Sequence, residues 1–331
     1  MTVLVTGGAG YIGSHMVWEL LDAGESVVVL DRLSTGFEWA VAPEAKLVVG
    51  DVADKELVGG VIRDNKVDAI IHFAGSIVVP ESVSDPLGYY ENNTSKTRTL
   101  IETAVREGVP HFIFSSTAAV YGAAGLEPVR EDGRLSPESP YGLSKLMSEW
   151  MLRDAAKAHP LRYTALRYFN VAGADPRGRT GQSTPGATHL IKVACETALG
   201  KRPFMQVFGT DYPTPDGTCM RDYIHVSDLA AAHRLALQRL RQGGESLVAN
   251  CGYSHGYSVL EVIDSVRRAF GRDFEVKMGD RRPGDAAAVV ANSDLARSEL
   301  GWTPQRDDLD LIVADALAWE RILTSKNSVR S

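Results

Sequence analysis

Cysteine is scarce in this chain. Cys195, Cys219 and Cys251 are the only three in 331 residues, and no two form a C-x-x-C pair. That excludes zinc ribbons and dithiol redox motifs and predicts a reduced, cytoplasmic setting with no metal site. Clustered positive charge is missing too: the net charge is -7 and no Lys/Arg run stands out. A nucleic-acid binder presents a basic face, so no nucleic-acid partner is expected. No apolar run approaches the roughly 20 residues of a membrane span. The start, Met1-Thr2-Val3-Leu4-Val5, lacks the basic segment of a secretory signal. No membrane partner is expected either. Internal repeats and low-complexity tracts are also absent.

What remains is ordinary globular usage, 44% hydrophobic and 23% charged. The length suits one large or two fused domains. In the first half, short β-branched runs alternate with helical patterns. Strands are expected at Thr2–Thr6, Val27–Asp31, Leu47–Gly50, Ala69–Phe73, Phe112–Ser116 and Thr164–Phe169. Amphipathic helices are expected at Tyr11–Ala23, Pro86–Glu107 and Tyr141–Ala158. The strands are almost wholly apolar, as when both faces of a parallel sheet are covered. The fold class is therefore α/β: a doubly wound parallel Rossmann sheet, residues 1–170, with a smaller C-terminal α/β domain, 171–331. Segments near 220–250 are expected to return to the first domain. Past Asn170 the texture changes. Gly173–Gly186 and Phe208–Asp222 read as loops, Thr188–Leu199, Ser227–Arg241 and Val259–Phe270 as helices, and Gly279–Asp285 as a basic turn.

The stretch V-L-V-T-G-G-A-G-Y-I-G puts Gly7, Gly10 and Gly13 between a strand and a helix. A Cβ there would keep the backbone from a pyrophosphate, and a helix N-terminus offers N–H groups and partial positive charge to phosphates. Gly24 suits the end of that helix. Asp31, about 20 residues beyond the glycines at a strand end, can accept both hydroxyls of an adenosine ribose. It would repel a 2′-phosphate, so NAD is favoured over NADP, with Arg32 pulling the other way. Asp51 suits either an adenine amino group or a helix N-cap.

Ser139–Leu146 reads S-P-Y-G-L-S-K-L, with Tyr141 and Lys145 four apart on one helix face. A free tyrosine has a pKa of ~10, so ionising it at pH 7 costs about 4 kcal/mol. A neighbouring cation supplies much of that. Upstream, the strand F-I-F-S-S-T ends in hydroxyls at Thr117, where ligands bind in such sheets. The plain alternative is a surface aromatic with an i,i+4 lysine.

T-G-G-A-G-Y-I-G-S-H, the hydroxyl strand end and Y-x-x-x-K together resemble the extended short-chain dehydrogenase/reductase family. R-Y-F-N (Arg167–Asn170), F-G-T-D-Y-P-T-P-D-G-T (Phe208–Thr218), R-D-Y-I-H-V (Arg221–Val226) and R-R-P-G-D (Arg281–Asp285) narrow the resemblance to its UDP-hexose 4-epimerases. It spans nearly the whole chain. It implies that bound NAD takes hydride from C4 of the sugar, that the 4-ketose turns about its diphosphate, and that hydride returns to the other face. Tyr141 would be the base, Lys145 its cation and the holder of the nicotinamide ribose, and Thr117 the hydrogen-bonding partner of the sugar oxygen.

For NAD the resemblance implies Gly7, Gly10, Tyr11, Ile12 and Gly13 at the glycine turn. Asp31, Arg32, Ser34, Thr35 and Gly36 follow on the ribose side, and Asp51 and Val52 at the adenine. Phe73, Ala74, Gly75, Asn92, Ser115 and Tyr168 join Tyr141 and Lys145 around the nicotinamide half. For the nucleotide sugar it implies Arg221 and Arg282 on the diphosphate, Asp285 on the uridine ribose and Phe208 at the uracil. Phe169, Asn170, His189, Leu190, Gln206 and Tyr223 complete that cradle. Arg282 and Asp285 read equally as a turn ion pair, and Phe208 as core.

Three departures stand out. Ile77 replaces a lysine common after F-A-G, which predicts a weaker hold on NAD. Thr188-His189-Leu190 replaces Asn-Asn-Leu, with His189 as the substitute phosphate donor. Val289 stands where a large residue closes the sugar pocket, predicting some turnover of UDP-N-acetylhexosamines. A 4,6-dehydratase or decarboxylase is the runner-up, but dehydratases need acids after the strand-end hydroxyl, and here stand Ala118-Ala119. A non-catalytic NAD-sensing module would lose the tyrosine or lysine; a free dehydrogenase would accumulate reduced cofactor. The resemblance further implies a homodimer through the Pro86–Glu107 and Ser139–Ala158 helices. Galactose catabolism and exopolysaccharide supply need the same reaction, so the pathway stays open.

Overall fold

A computed structural model describes residues 1–123, 125–282 and 285–328, with side chains to 323. Strand β1 (Thr2–Thr6) turns through glycines into helix α1 (Tyr11–Asp22), and β2 (Ser26–Asp31) follows. Then come β3 (Lys46–Val49), α2 (Lys55–Asn65) and β4 (Val67–His72). The next crossover starts with α3 (Val79–Ser84), breaks at Asp85, and then runs on without interruption through α4 (Pro86–Tyr89), a wide π-helical turn over Tyr90–Ser95, and α5 (Lys96–Arg106). β5 (His111–Thr117), α6 (Pro140–Ala158) and β6 (Arg162–Tyr168) complete the first half. The helix expected at Pro86–Glu107 is therefore three segments, widened in the middle.

After β6 the chain forms β7 (Asn170–Ala172), α7 (Leu190–Ala198), β8 (Met205–Phe208), β9 (Met220–Arg221) and β10 (Tyr223–His225). It then makes α8 (Val226–Arg241) and β11 (Leu247–Cys251), which pairs with β6. The main sheet thus has seven parallel strands in the order β11-β6-β5-β4-β1-β2-β3. The last elements are β12 (Tyr257–Ser258), α9 (Val259–Phe270), β13 (Val276–Gly279), β14 (Ala288–Val289), α10 (Asp294–Leu300) and α11 (Leu309–Ser328). Within the stretch read as the loop Phe208–Asp222, Met220–Arg221 pairs with both β12 and β14. Of the turn Gly279–Asp285, Pro283 and Gly284 lie outside the described residues.

The apolar strands have a physical reason. Successive residues point to opposite faces, and here both faces are covered. Val3 and Val5 pack with α1 and α8 residues such as Met16 and Leu229, while Leu4 joins Val58, Leu100 and Leu152 on the other side. The strand order reverses between β1 and β4, opening a crevice at their C-terminal ends. The glycine turn and Phe73–Gly75 lie there. α7, α9 and α11 pack on one another below the short strands β7–β10. Among the described residues no helix is long and apolar enough to cross a membrane.

Candidate active site

At the crevice, Gly7 has φ +70°, and a Cβ on it would lie 2.6 Å from the Ala74 nitrogen. A Cβ on Gly13 would lie 2.1 Å from the Gly7 carbonyl oxygen. Both positions therefore exclude side chains, and the turn stays open toward a ligand. Gly10 caps α1 with no side-chain bond, and the first helical turn carries no acid. The leading N–H groups and the dipole are left for an anion. Asp31 is fixed by two backbone donors, Ala9 N–H (3.0 Å) and Leu33 N–H (2.8 Å). Ser34, Thr35 and Gly36 follow in a loop tied back by Phe37 N–H to the Ala9 carbonyl (3.0 Å). This donor set and cradle fit a dinucleotide.

Arg32 turns to Asp51 (3.3 Å). The same carboxylate meets Lys96 (2.5 Å) and accepts from Ala53 N–H (2.9 Å). Burial alone would raise the Asp51 pKa, but the Lys96 hydrogen bond, the Ala53 N–H and the two cations hold it below the usual range. Committed to a carboxylate, Arg32 is poorly placed to welcome a 2′-phosphate. The helix N-cap is Asp54, which accepts from Leu57 N–H (3.0 Å), so the N-cap reading of Asp51 is set aside. Val52 is buried beside it. Ile12 packs into the core behind the turn, and Tyr11 donates to the Gly173 carbonyl (2.7 Å).

β5 delivers three hydroxyls with different partners. Ser115 bonds the Tyr168 hydroxyl, Ser116 donates to the Glu149 carboxylate, and Thr117 accepts from Ala119 N–H (3.2 Å). α6 starts beside them because Ser139 accepts from Gly142 N–H (3.2 Å) and Pro140 fits the first helical position. That start buries Tyr141 and Lys145 on one face. Lys145 donates to the Ser115 carbonyl (3.0 Å) and lies 5.1 Å from the Phe114 ring centroid. Burial pushes the Lys145 pKa down to about 8. Burial raises that of Tyr141, against a lowering hydrogen bond from Thr117. Without added positive charge this phenol stays protonated.

At the far end, the Arg282 guanidinium lies over the Phe208 ring (4.7 Å) and bonds Asp285 (2.8 Å). Arg221 approaches Asp285 at 3.8 Å and donates to the carbonyls of Met220 and Ala286 (2.8 and 2.9 Å). Val289 is the register partner of Arg221. The structure thus gathers five of the expected sugar-side residues into one cradle. Gln206 is exposed two positions before Phe208 on β8. Asn170, His189, Leu190 and Tyr223 line a cavity of about 30 Å³ with Tyr11. His189 is the residue before α7, so that helix starts two residues later than the sequence pattern suggests. His189 is exposed at the rim of the cavity, and partial desolvation there lowers its pKa. Phe169 packs against the Val120–Tyr121–Leu146 cluster.

The model of the NAD dependent epimerase/dehydratase family matches residues 3–252. The chain belongs to that family. It is similar to a UDP-glucose 4-epimerase of Azospirillum brasilense, 59% identical over 97% of this chain and 92% of the relative. A solved UDP-glucose 4-epimerase from Brucella ovis in complex with NAD is 44% identical, with 96% and 97% of the chains covered and a TM-score of 0.93. A UDP-Glc/GlcNAc 4-epimerase of Campylobacter jejuni is 47% identical, covers 97% and 99%, and has a TM-score of 0.85.

Sequence reasoning left out one polar anchor of this epimerase/dehydratase site. Asn93, 2% exposed, accepts from Ser76 N–H (2.7 Å) and donates to the Ser76 carbonyl (2.9 Å) and Ser144 hydroxyl (3.1 Å). It joins the loop after β4 to the helix between Tyr141 and Lys145. Asn92, expected at the cofactor, donates to the Ser76 hydroxyl (2.9 Å). Phe73 packs on His233 at 4.9 Å. The adjacent asparagines were the available signal, but their partners lie across a turn of unpredictable width.

Proposed function

We propose that the chain interconverts UDP-glucose and UDP-galactose by inverting C4 of the hexose through a transient 4-keto sugar. The observation that carries this is the buried Thr117–Tyr141–Lys145 group beside the glycine crevice, in a chain that also builds an arginine cradle at Arg221 and Arg282. Similarity to UDP-glucose 4-epimerases over nearly the full chain supports it. The glycine turn and Asp31 would hold NAD, which when bound would supply reversible hydride exchange with the sugar carbon. Tyr141 takes the proton from O4 and later returns it. Lys145, together with the charge of an oxidised nicotinamide, would supply the positive charge that lowers the phenol's pKa. Thr117 hydrogen-bonds O4 during the transfer. Arg221 and Arg282 fork onto the diphosphate, with Phe208 and Asp285 on the uridine. Only the anchored nucleotide is gripped, so the hexose turns between the two half-reactions.

Thr117 is followed by a turn of Ala118, Ala119 and Val120, with no carboxylate to drive elimination. The test is to incubate the purified protein with UDP-galactose and identify the sugar by proton NMR. UDP-glucose is expected. Loss of water, or reduced cofactor appearing stoichiometrically with product, sinks the reading.

Two further outcomes follow. Lys145→Met removes the cation one turn from the base, so the acid limb of the kcat/KM profile moves up by about 1–3 pH units. An unmoved limb in the pH titration excludes Lys145 from this role. Val289, the register partner of Arg221, is smaller than the large residue that closes the sugar pocket in relatives, so UDP-N-acetylglucosamine is expected to be turned over as well. Val289→Tyr lowers that activity at least about tenfold and leaves UDP-galactose turnover nearly intact. Parallel progress curves check both.

We assign residues 1–170 with α8 and β11 to cofactor binding and the rest to the nucleotide sugar. A cytoplasmic homodimer through the outer faces of the α4–α5 segment and α6 fits the composition and the family. Sedimentation at low concentration tests the dimer. Growth of a deletion strain on galactose separates galactose catabolism from exopolysaccharide supply.

A further inference from the structure

Five of the thirteen exposed large apolar side chains among the described residues fall between Ile77 and Leu87. Such a concentration in one loop and the two short helices after it raises the question of what the loop faces. It begins at Gly75, where a Cβ would lie 3.7 Å from Lys145 Nζ, and α3, which starts at Val79, packs on α6, so the Ile77–Val79 segment runs beside the helix that carries Tyr141. Ile77, Val78 and Val79 are 52%, 39% and 42% exposed, yet the backbone at Val78 is held on both its N–H and its carbonyl.

The holder is Tyr89, 2% exposed at the end of α4. Val78 N–H donates to its hydroxyl oxygen (2.9 Å). The hydroxyl proton is shared between the Val78 carbonyl (2.7 Å) and the Glu81 carboxylate (2.8 Å). The ring stands edge-on to Tyr141, centroids 6.5 Å apart at 88°. Tyr89, Asn92 and Asn93 follow i, i+3, i+4 spacing, one helix face gripping Val78 and Ser76. Burial and the Glu81 hydrogen bond raise the Tyr89 pKa, so its proton stays available for donation.

We propose that Tyr89 is a positioning residue: its hydroxyl clasps Val78 and fixes the Ile77–Val79 segment as the apolar wall of the pocket in which the hexose reacts. This rests on the assignment of Tyr141 as the base. A sugar that must turn round needs a wall with no hydrogen bonds to hold it, and a wall that does not drift. An apolar surface on a pinned backbone meets both needs. The UDP cradle at Phe208, Arg221 and Arg282 lies on other elements, so the clasp acts on the chemical step and not on substrate capture.

The test uses full-length holoenzyme carrying Tyr89→Phe, which keeps the ring against Tyr141 and removes one oxygen. Amide hydrogen exchange is read over residues 76–84 and over α6, without substrate. Loss of the clasp speeds exchange in 76–84 roughly three- to tenfold and leaves α6 unchanged. With UDP-galactose, kcat falls roughly tenfold while KM stays within about twofold. Unchanged exchange at 76–84, or an unchanged kcat, overturns the proposal. So does an equal rise in α6 exchange, which would place the effect in the packing on Tyr141. A wild-type protein that does not epimerise UDP-galactose defeats the functional reading instead, and the exchange result remains legible on its own.

Discussion

Tyr141→Phe lowers epimerisation of UDP-galactose by at least about 10³-fold, the upper part of the range for a lost general base. The copurified NAD content and the thermal midpoint stay close to wild type. The ring that fills the buried site is retained, and Thr117 keeps its bond from Ala119 N–H (3.2 Å). The folded protein therefore loses one oxygen and little packing. Coupled turnover and cofactor content after denaturation, measured on the same preparation, check the result. Residual turnover above a tenth of wild type would move the base elsewhere. The nearest other phenol along this wall, Tyr89, is a poor replacement because its hydroxyl is engaged with Val78 and Glu81.

How legible such a site is depends on how far apart its partners lie in the chain. β1 to β6 were readable because burial on both faces leaves continuous apolar runs, and their ends agree with the expected ones within two residues. β11 was not, because L-V-A-N-C is short and carries the polar Asn250 next to its end. That asparagine is fully buried only because Tyr121, Glu131 and Val129 satisfy it, and no local pattern announces those partners. The glycine turn and the Tyr141–Lys145 spacing are local signals and were readable directly. Arg221, Arg282, Phe208 and Val289 come from four separate short segments. Spacing could not bring them together; the resemblance named them, and strands β8, β9 and β14 supply the meeting place. The clasp of Val78 by Tyr89 had no sequence signal, since any buried tyrosine looks like core. The π-helical turn at Tyr90–Ser95 likewise follows from tertiary contacts rather than residue preference.

Glu149→Ala lowers the thermal midpoint by about 10 °C, corresponding to roughly 3–5 kcal/mol for breaking a buried ion pair. Glu149 and Arg167 are each 4% exposed and meet in a fork, Nε to Oε1 at 3.0 Å and Nη2 to Oε2 at 2.7 Å. Ser116 donates to the same carboxylate, and Arg167 also donates to the Tyr121 hydroxyl (2.9 Å), which donates to Asn250 (2.7 Å). One network thus crosses α6, β5, β6 and β11. Removing Glu149 strands a guanidinium in the core, which is the source of the large loss. Glu149→Leu with Arg167→Met removes both charges and recovers most of the midpoint, because the pair's desolvation cost disappears along with its attraction. Activity does not recover in parallel. Ser116 lies one residue from Thr117 and Arg167 one from Tyr168, so the fork fixes the spacing between the strand end and the helix bearing Tyr141. Calorimetry and turnover on the two variants separate these effects. Full recovery of turnover in the double variant would show that the fork serves stability alone.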